Sequence, residues 1–442
     1  MTQTQTQTQT QTQTQTQMQM QMQTQTQTQT QMQTQGETQT QTQTQTQAQT
    51  SAEAAGPAAW TVSAERPVRY RVETARDLLD PSDLRLVGGD AGGRRLLVTD
   101  ETVWELYGER LSRYATAVLD QHEVLVLPGG ETAKHWSSVE SVLLAFDAFG
   151  LDRRREPVIA VGGGVLTDIV GFAASIYRRG TPYVRVPTTL VGLVDASVGV
   201  KTGVNFGRGK NKIGTYHAPV TNLLDTSFLA TLDARHLSNG AAEILKIALV
   251  KDAELFRLLV DHGPAALASR FQGADPAWEG ILARAIGGML SELEPNLWEQ
   301  ELARLVDYGH TFSPTIEMCA LPELLHGEAV ALDMALTTGI SVHRGLVSAE
   351  EAASIWRLMS VLGLPVQHES MTPDRLYEAL LETTRHRDGR QRLPLPVGVG
   401  AAVFVDDVTE EDIVAGLALV GSAAASLGRG PGRAQPLLEE AR

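Results

Sequence analysis

The chain has only one cysteine, Cys319, among its 442 residues. A lone cysteine excludes an internal disulfide, so a reducing cytoplasm is the expected compartment. No apolar run approaches the roughly 20 residues that a membrane span needs, and no charged-then-apolar signal segment opens the chain. We therefore expect a cytoplasmic protein with no membrane partner.

Lysine is also scarce, because only 6 of the 37 basic residues are lysines. Most of them fall between residues 201 and 251, namely Lys201, Lys210, Lys212, Lys246 and Lys251. Lysine is a compact charge whose pKa can be tuned, so arginine does not readily replace it inside a site. These lysines alternate with glycine, asparagine and threonine rather than with acids, which favours an anion site over a solvated basic face. The net charge of −15 argues against nucleic-acid binding, so an anionic substrate needs a local cationic pocket.

Four regions follow from composition. Residues 1–50 alternate threonine and glutamine almost without a break and cannot bury a core, so they are predicted to be disordered. A prion-like tail is one interpretation of this repeat, and a repeat expansion or a wrongly assigned start is the simpler one. We predict a tail and linker over 1–59, an α/β domain over 60–233, a helical domain over 234–427 and a flexible tail over 428–442.

Apolar strand patterns and helical patterns alternate in the first half. Strands are predicted at 94–99, 123–128, 158–161, 183–187 and 221–225, and this alternation is typical of a parallel sheet with helices on both faces. After residue 233 helical patterns dominate, including 238–250, 309–320 and 324–344. The fold class is therefore an N-terminal α/β parallel-sheet domain followed by a mainly helical domain, with the ligand site in the cleft between them.

The stretch from 158 to 214 is the most informative. An apolar strand leads into Gly162-Gly163-Gly164 and then into a predicted helix over 165–176, an arrangement that can cradle a phosphate. The dinucleotide fingerprint would need glycine where Thr167 stands. A P-loop would need glycine at Val204 and serine or threonine at Asn211. Both common phosphate motifs are thereby excluded.

Three residues of the second half are candidate metal ligands: Glu243, His310 and His326. Two imidazoles and a carboxylate suit a catalytic zinc-type site with open positions. The spacing is loose, so each histidine taken alone is more typical of a capping or core residue than of a metal ligand. Glu243 and Lys246 are also compatible with a helix-surface pair, but the apolar helix around them makes that interpretation the poorer one.

Five segments together resemble the 3-dehydroquinate synthase superfamily and, within it, the sugar phosphate cyclases. They are VGGGVLTDIVGFAASIYRRG, VPTTLVGLVDASVGVKTGVNFGRGKNKIG, GAAEILK, DYGHTFSP and LLHGEAVALDM. The resemblance runs from about residue 84 to 420. It implies a dehydroquinate synthase-like fold and a phosphorus–oxygen lyase that uses NAD and a divalent metal, zinc or cobalt. It also implies transient oxidation by NAD, phosphate elimination, re-reduction and an intramolecular aldol cyclisation.

The resemblance implies roles for particular residues. Those implied for NAD are Asp100, Glu131, Lys134, Gly163, Gly164, Asp168, Thr188 and Thr189, with Lys201 and Lys210 beside them. Those implied for the sugar phosphate are Asp195, Lys201, Lys210, Asn211 and Lys246, and the implied metal ligands are Glu243, His310 and His326. Arg179 is similar to the residue that reaches into the neighbouring subunit's site, which implies a homodimer.

Three departures from the dehydroquinate synthase pattern bear on the substrate. Pro314 replaces a histidine, Met289 stands near a family lysine, and Asp307 replaces an asparagine. We expect these changes to leave a substrate carboxylate poorly paired and repelled. The substrate is then the carboxylate-free sedoheptulose 7-phosphate.

The segments EPNLWE, DYGHTFSP and TRHRDGRQRLPLP look most like 2-epi-5-epi-valiolone synthases of seven-carbon aminocyclitol biosynthesis. Arg385, His386 and Arg387 are then expected near the phosphate or the ring hydroxyls. Sister cyclases that make 2-epi-valiolone or desmethyl-4-deoxygadusol, 3-dehydroquinate synthase itself and a metal-dependent alcohol dehydrogenase stay open as alternatives.

Overall fold

The computed structural model describes residues 59–89, 91–207 and 209–428. The predictions for the threonine/glutamine tail and for the C-terminal tail concern residues outside these ranges. Residues 59–67 form no helix or strand, and the chain from Val68 onward forms one compact unit. Among the described helices, none has both the length and the apolar character needed to cross a bilayer.

Six parallel strands form the main sheet, in the order β1-β8-β5-β4-β2-β3. Their bounds are β1 Arg71–Ala75, β2 Arg94–Asp100, β3 Gln121–Leu127, β4 Val158–Gly162, β5 Tyr183–Pro187 and β8 Thr221–Asp225. Between β5 and β8 the chain makes an antiparallel hairpin of β6 Lys201–Phe206 and β7 Gly209–Tyr216. Helices α1 Glu101–Val118, α2 Trp136–Phe149 and α3 Gly164–Ile176 connect the strands. The predicted parallel α/β architecture is confirmed.

The second half is helical, as predicted. Its helices are α4 Ala234–Val250, α5 Ala253–Ala268, α6 Pro276–Leu293, α7 Ser313–Cys319, α8 His326–His343, α9 Ala349–Val361, α10 Pro373–His386 and α11 Glu410–Ser426. A small antiparallel pair, β9 Leu393–Pro396 and β10 Ala402–Val405, precedes the last helix.

Capping residues fix where the site-forming helices begin. The Asp100 carboxylate accepts a hydrogen bond from Val103 N at 2.9 Å, so β2 ends and α1 starts at the same residue. Asp233 accepts from His236 N at 2.8 Å and starts α4. Such side chains satisfy backbone donors that a helix leaves free at its first turn.

The largest apolar core crosses the predicted domain boundary at residue 233. Leu190, Leu193 and Val198, which follow β5, pack in the same cluster as Leu237 and Ile244 of α4. Because this core is continuous, the described chain beyond Val68 does not separate into two compact units. The boundary at 233 marks the change from sheet to helix, and its status as a domain boundary stays a prediction.

Several elements differ from the sequence-based expectation. The sequence did not predict strand β1, the β6–β7 hairpin or helix α5. Strand β1 is short, and the hairpin is rich in glycine and polar residues, so neither shows a clear strand pattern. The helix predicted over 309–320 begins only at Ser313. Gly309 has φ +74°, which a right-handed helix does not allow. His310 therefore lies in a loop.

Candidate functional site

A cavity of about 990 Å³ lies where the strands of the sheet end. Most residues predicted for the site line it, but Glu243 lies just behind the wall next to Lys246, and Arg179, Arg385 and Arg387 do not line it. Parallel strands present their carboxyl ends, and the loops that follow, at one edge of the sheet. The cradle, the lysines and the candidate metal ligands therefore share one cavity.

The glycine turn after β4 brings backbone close to the cavity. A Cβ at Gly162 would lie 2.4 Å from Leu166 Cδ2 and 2.9 Å from Asp100 Oδ2, so no larger residue fits there. Helix α3 begins at Gly164 with Gly163 as its N-cap, and no side chain caps it. Its first N–H groups and the positive end of its dipole are available to an anion. The sequence-based interpretation of this turn as a phosphate cradle agrees with this geometry.

Next to the turn, Lys134 is a buried cation. Its Nζ lies 2.7 Å from Asp168 Oδ2, and its side chain is 5% exposed. Burial opposes its charge, but Asp168 and Glu131 outweigh burial and raise the Lys134 pKa. Glu131 in turn accepts a hydrogen bond from Asn205 Nδ2 at 2.8 Å, which ties this wall to the β6–β7 hairpin.

Glu243, His310 and His326 form the candidate metal centre. One ligand atom from each can be chosen so that all three lie within 4.8 Å of one another. Glu243 Oε1 is 3.3 Å from His326 Nε2 and 3.8 Å from His310 Nε2. The carboxylate is fully buried, and neither of its oxygens accepts a hydrogen bond of normal geometry. A buried anion facing two imidazole nitrogens fits a divalent cation at this place.

Both histidines are oriented from behind. His310 Nδ1 donates to Tyr308 O at 3.0 Å, and His326 Nδ1 donates to Glu317 Oε2 at 3.0 Å. In the neutral ring, Nε2 then carries the lone pair, on the side of each histidine that faces Glu243. Such partners fix the ring orientation and raise the basicity of a metal-bound histidine.

Two helices must approach closely to bring these ligands together. His326 is the first residue of α8, and the next residue, Gly327, donates its N–H to Asn239 Oδ1 on α4. A Cβ at Gly327 would lie 1.9 Å from Asn239 O. Only glycine permits this crossing, which places His326 beside Glu243.

Lys246 links the metal centre to the cavity. Its Nζ lies 2.6 Å from Glu243 Oε2 and 2.8 Å from Asp195 Oδ1, and its side chain is 1% exposed. Burial opposes the charge, but the two carboxylates outweigh burial and raise the Lys246 pKa. The helix-surface interpretation of the Glu243–Lys246 pair is therefore wrong.

The hairpin carries the remaining cations. Lys201 pairs with Glu299, while Lys210 Nζ lies 2.5 Å from Glu317 Oε1. The Lys201 side chain lines the cavity and is 59% accessible, so the cavity walls desolvate it only in part. This partial desolvation, together with the positive charge of Arg304, lowers the pKa of Lys201 to about 8. Asn211 has φ +52° and donates its N–H to Asn205 Oδ1 at 2.8 Å.

Comparison with known proteins shows which family this chain belongs to. Residues 124–239 match the 3-dehydroquinate synthase N-terminal domain, and residues 240–386 match the 3-dehydroquinate synthase C-terminal domain. The chain is 54% identical over 365 residues to a 2-epi-5-epi-valiolone synthase of Actinomyces sp, covering 80% of this chain and 95% of that protein. The chain belongs to the 3-dehydroquinate synthase family.

Two further relatives refine the position within the 3-dehydroquinate synthase family. Identity falls to 40% over 332 residues with demethyl-4-deoxygadusol synthase of Trichormus variabilis, covering 74% of this chain and 81% of that protein. A solved structure of 2-epi-5-epi-valiolone synthase from Streptomyces hygroscopicus subsp. jinggangensis 5008, with NAD⁺ and Zn²⁺ bound, superposes with a TM-score of 0.79. It is 53% identical and covers 82% of this chain and 99% of that chain.

Pro314 and Asp307, two of the three departures from the dehydroquinate synthase pattern, do not have the effect on a substrate carboxylate that the sequence led us to expect. Pro314 is exposed in the first turn of α7 and does not line the cavity. Asp307 does line it, but Arg304 at 2.5 Å and Arg387 at 2.9 Å compensate its charge. The expectation that Asp307 repels an anion is therefore wrong. Met289 lines the cavity as an apolar residue, as expected.

Two further predicted placements are less direct. Arg387 reaches the site only through Asp307, while Arg385 is exposed, and the His386 side chain lies outside the described part. Arg179 is exposed, away from this chain's own cavity, at φ +63°. Its reach into a neighbouring subunit stays a prediction.

Sequence reasoning missed Glu317, Glu299 and Arg304. Glu317 partners both Lys210 and His326, and Glu299 contacts Lys201, Arg304 and the Tyr216 hydroxyl. The one available signal was that Glu317 lies seven residues after His310, on the same segment. Its distance from Lys210 and His326 could not be read from spacing.

Proposed function

We propose that this protein is a sugar phosphate cyclase that converts sedoheptulose 7-phosphate to 2-epi-5-epi-valiolone and inorganic phosphate. The observation that carries the proposal is the convergence of a nucleotide cradle, a buried three-ligand metal centre and hairpin lysines on one cavity. Identity of 54% to a 2-epi-5-epi-valiolone synthase supports the choice of reaction.

NAD and a divalent metal, zinc or cobalt, are the proposed cofactors. When bound, NAD⁺ takes up and returns a hydride while the metal ion polarises a hydroxyl or carbonyl oxygen. We assign the glycine turn, Thr188, Thr189 and the Lys134–Asp168 pair to the nucleotide. Glu243, His310 and His326 are assigned to the metal because Glu243 Oε1 faces the Nε2 atoms of both histidines, while Lys246 pairs with Oε2.

The sugar phosphate is assigned to the part of the cavity formed by the hairpin and α4. Lys201, Lys210 and Asn211 present cationic and amide groups from the hairpin, and Asp195 with Lys246 lines the same cavity beside the metal centre. A phosphate dianion competes with Glu299 for Lys201 and with Glu317 for Lys210. The chain therefore holds its substrate lysines in ion pairs that the substrate replaces.

A substrate without a carboxylate fits the rest of the wall. Arg304 is already engaged by Glu299 and Asp307, and Arg387 by Asp307. Met289 adds an apolar surface. A substrate carboxylate would have to break these pairs, whereas sedoheptulose 7-phosphate presents only hydroxyl groups there.

The deciding experiment follows released phosphate and identifies the product by NMR. The purified protein receives sedoheptulose 7-phosphate, catalytic NAD⁺ and Zn²⁺ or Co²⁺. We expect phosphate release, the 2-epi-5-epi-valiolone spectrum and no net gain of NADH. A different valiolone epimer or an ultraviolet-absorbing gadusol-type product would assign a sister reaction, and stoichiometric NADH would indicate an alcohol dehydrogenase instead. Turnover of the dehydroquinate synthase substrate would instead indicate that the protein is a 3-dehydroquinate synthase.

We also propose a cytoplasmic homodimer in which Arg179 completes the partner's cavity. The exposed side chain and the resemblance to the family support this role, and the single cysteine supports the compartment. Mixing an Arg179→Ala variant with a Lys201→Ala variant should restore part of the activity that each lacks alone, because mixed dimers contain one intact site. A monomeric mass by light scattering would refute the arrangement.

A further inference from the structure

The backbone just before and at Lys201 is tied down at four consecutive carbonyls. Tyr70 Oη donates to Val198 O at 3.0 Å, and the His217 backbone N–H donates to Val200 O at 2.8 Å. Arg185 supplies the other two bonds, from Nη1 to Gly199 O at 2.6 Å and from Nη2 to Lys201 O at 2.9 Å. Lys201 thus begins β6 from a segment with little freedom to shift.

Arg185 is an unusual residue for this task. It lies in the central strand β5, is 0% exposed, and has its guanidinium carbon 5.3 Å from the centre of the Tyr183 ring. Within the described residues no carboxylate lies within ion-pair distance of it, and its Nε has no hydrogen-bond partner. A buried cation without an anion is costly, so its retention at this place calls for a role.

The geometry indicates that role. The backbone bends at Gly199 and Val200, and the carbonyls of Gly199 and Lys201 both face the Arg185 guanidinium. The planar guanidinium fork spans two such acceptors at once, which the single ammonium of a lysine cannot do with fixed geometry. Arg185 lies behind the segment, whereas the Lys201 side chain enters the cavity on the other side. The fork therefore determines the point from which the Lys201 ammonium extends.

We propose that Arg185 and Tyr70 are positioning residues for Lys201. They touch neither substrate nor cofactor. They fix the carbonyls of Val198, Gly199 and Lys201, so that the Lys201 ammonium meets the anionic group of the substrate. The proposal rests on the proposed function only in taking that group to be the phosphate of a sugar phosphate.

The first test is Arg185→Lys, which keeps the charge and removes the fork. We expect KM for sedoheptulose 7-phosphate to rise at least tenfold, with NAD⁺ affinity within twofold of the unmodified protein. Arg95→Lys is the matched control, because Arg95 also donates to two carbonyls, Arg94 O at 2.8 Å and Val87 O at 2.9 Å, but neither carbonyl belongs to a residue that lines the cavity, as Gly199 and Lys201 do. It should leave KM unchanged. Equal losses of substrate and NAD⁺ binding in Arg185→Lys would overturn the proposal in favour of a general structural role.

The second test needs no turnover. The chain has 6 lysines, so reductive methylation with ¹³C-formaldehyde gives few NMR signals, and the Lys201 signal is assigned by its absence in Lys201→Arg. We expect Arg185→Lys to change the chemical shift or titration midpoint of the Lys201 signal and to leave the Lys251 signal unchanged. An unaltered Lys201 signal would overturn the proposal.

Tyr70→Phe keeps the test decisive if Arg185→Lys does not fold. It removes one hydroxyl from a half-buried side chain at the start of the sheet. We expect a smaller change of the Lys201 signal in the same assay and a two- to fivefold rise in KM. No change in either quantity would contradict the proposal. If the unmodified protein does not turn over sedoheptulose 7-phosphate, the proposed function fails, while the NMR measurement still decides the positioning role.

Discussion

Replacing Glu317 by glutamine should weaken metal binding without removing a metal ligand. The Glu317 side chain is 3% exposed, and Oε2 accepts a hydrogen bond from His326 Nδ1 at 3.0 Å. An amide oxygen can still accept this bond, but the negative charge that strengthens it and raises the basicity of His326 is lost. The change is therefore electrostatic, with nearly the same shape.

The expected loss of metal affinity can be taken from other metalloproteins in which a carboxylate hydrogen-bonds to a metal-bound histidine. Loss of a carboxylate behind a metal-bound histidine costs about 10- to 100-fold in metal affinity. This corresponds to about 1.4–2.8 kcal/mol at 25 °C. We expect the upper half of this range, because Glu317 is buried and burial strengthens its electrostatic contact with His326.

The assay is Zn²⁺ competition with a chromophoric chelator, combined with thermal unfolding of the metal-free proteins. Glu323→Gln is the matched control, because Glu323 is an exposed glutamate six residues further along the chain. The control should bind Zn²⁺ like the unmodified protein. A Glu317→Gln protein that is folded and binds Zn²⁺ with unchanged affinity would refute the assignment of His326 as a metal ligand supported by Glu317.

Three further predictions concern other parts of the structure. Lys134→Met leaves Asp168 unpaired near the glycine turn. NAD⁺ binding measured by fluorescence should therefore weaken at least tenfold, and the free energy of unfolding should fall by about 2–4 kcal/mol. Unchanged NAD⁺ binding would count against the cofactor assignment. Because the pKa of Lys201 is about 8, the ammonium charge is lost above that pH. KM for the sugar phosphate should therefore rise between pH 7 and 9 in initial-rate assays of the unmodified protein, but not in Lys201→Arg. A KM that stays constant over this range in the unmodified protein would contradict the prediction. The Arg344 guanidinium holds the pKa of Asp412 well below its usual range. The pair therefore contributes fully above the unfolded pKa of about 4, and this contribution declines as the pH falls through the lower folded pKa. Asp412→Asn should cost about 1–3 kcal/mol at pH 7 and clearly less near pH 2 in denaturant titrations, and an equal cost at both would argue against the pair.

Much of the fold could be predicted because local patterns suffice for it. Apolar runs followed by glycine or acidic residues located five of the six strands of the sheet, and the same edge rule placed Asp100 and the glycine turn together. The β6–β7 hairpin was not predicted, since its residues are glycine-rich and polar on both faces and carry no strand periodicity.

The residue types at the site were also available in advance. Two histidines and a glutamate, the ligand types of a catalytic zinc site, indicated a metal, and scarce lysines clustered in one stretch indicated an anion. The specific interpretation of Asp307 failed for a physical reason. Two arginines compensate the negative charge of Asp307. One lies three residues away along the chain and the other 80 residues away, so only the second could not be identified without the folded structure.

The sequence by itself determined the order of strands and helices, the glycine turn and the inventory of chemical groups, because these depend on neighbours along the chain. Tertiary structure alone decided which groups act together. Gly327 lets α8 approach α4 so that His326 meets Glu243, Glu317 turns toward His326, and a buried arginine from β5 fixes the backbone of Lys201. These contacts join residues 9 to 88 positions apart. Distance along the chain carries no information about such contacts until the helices and the sheet have packed.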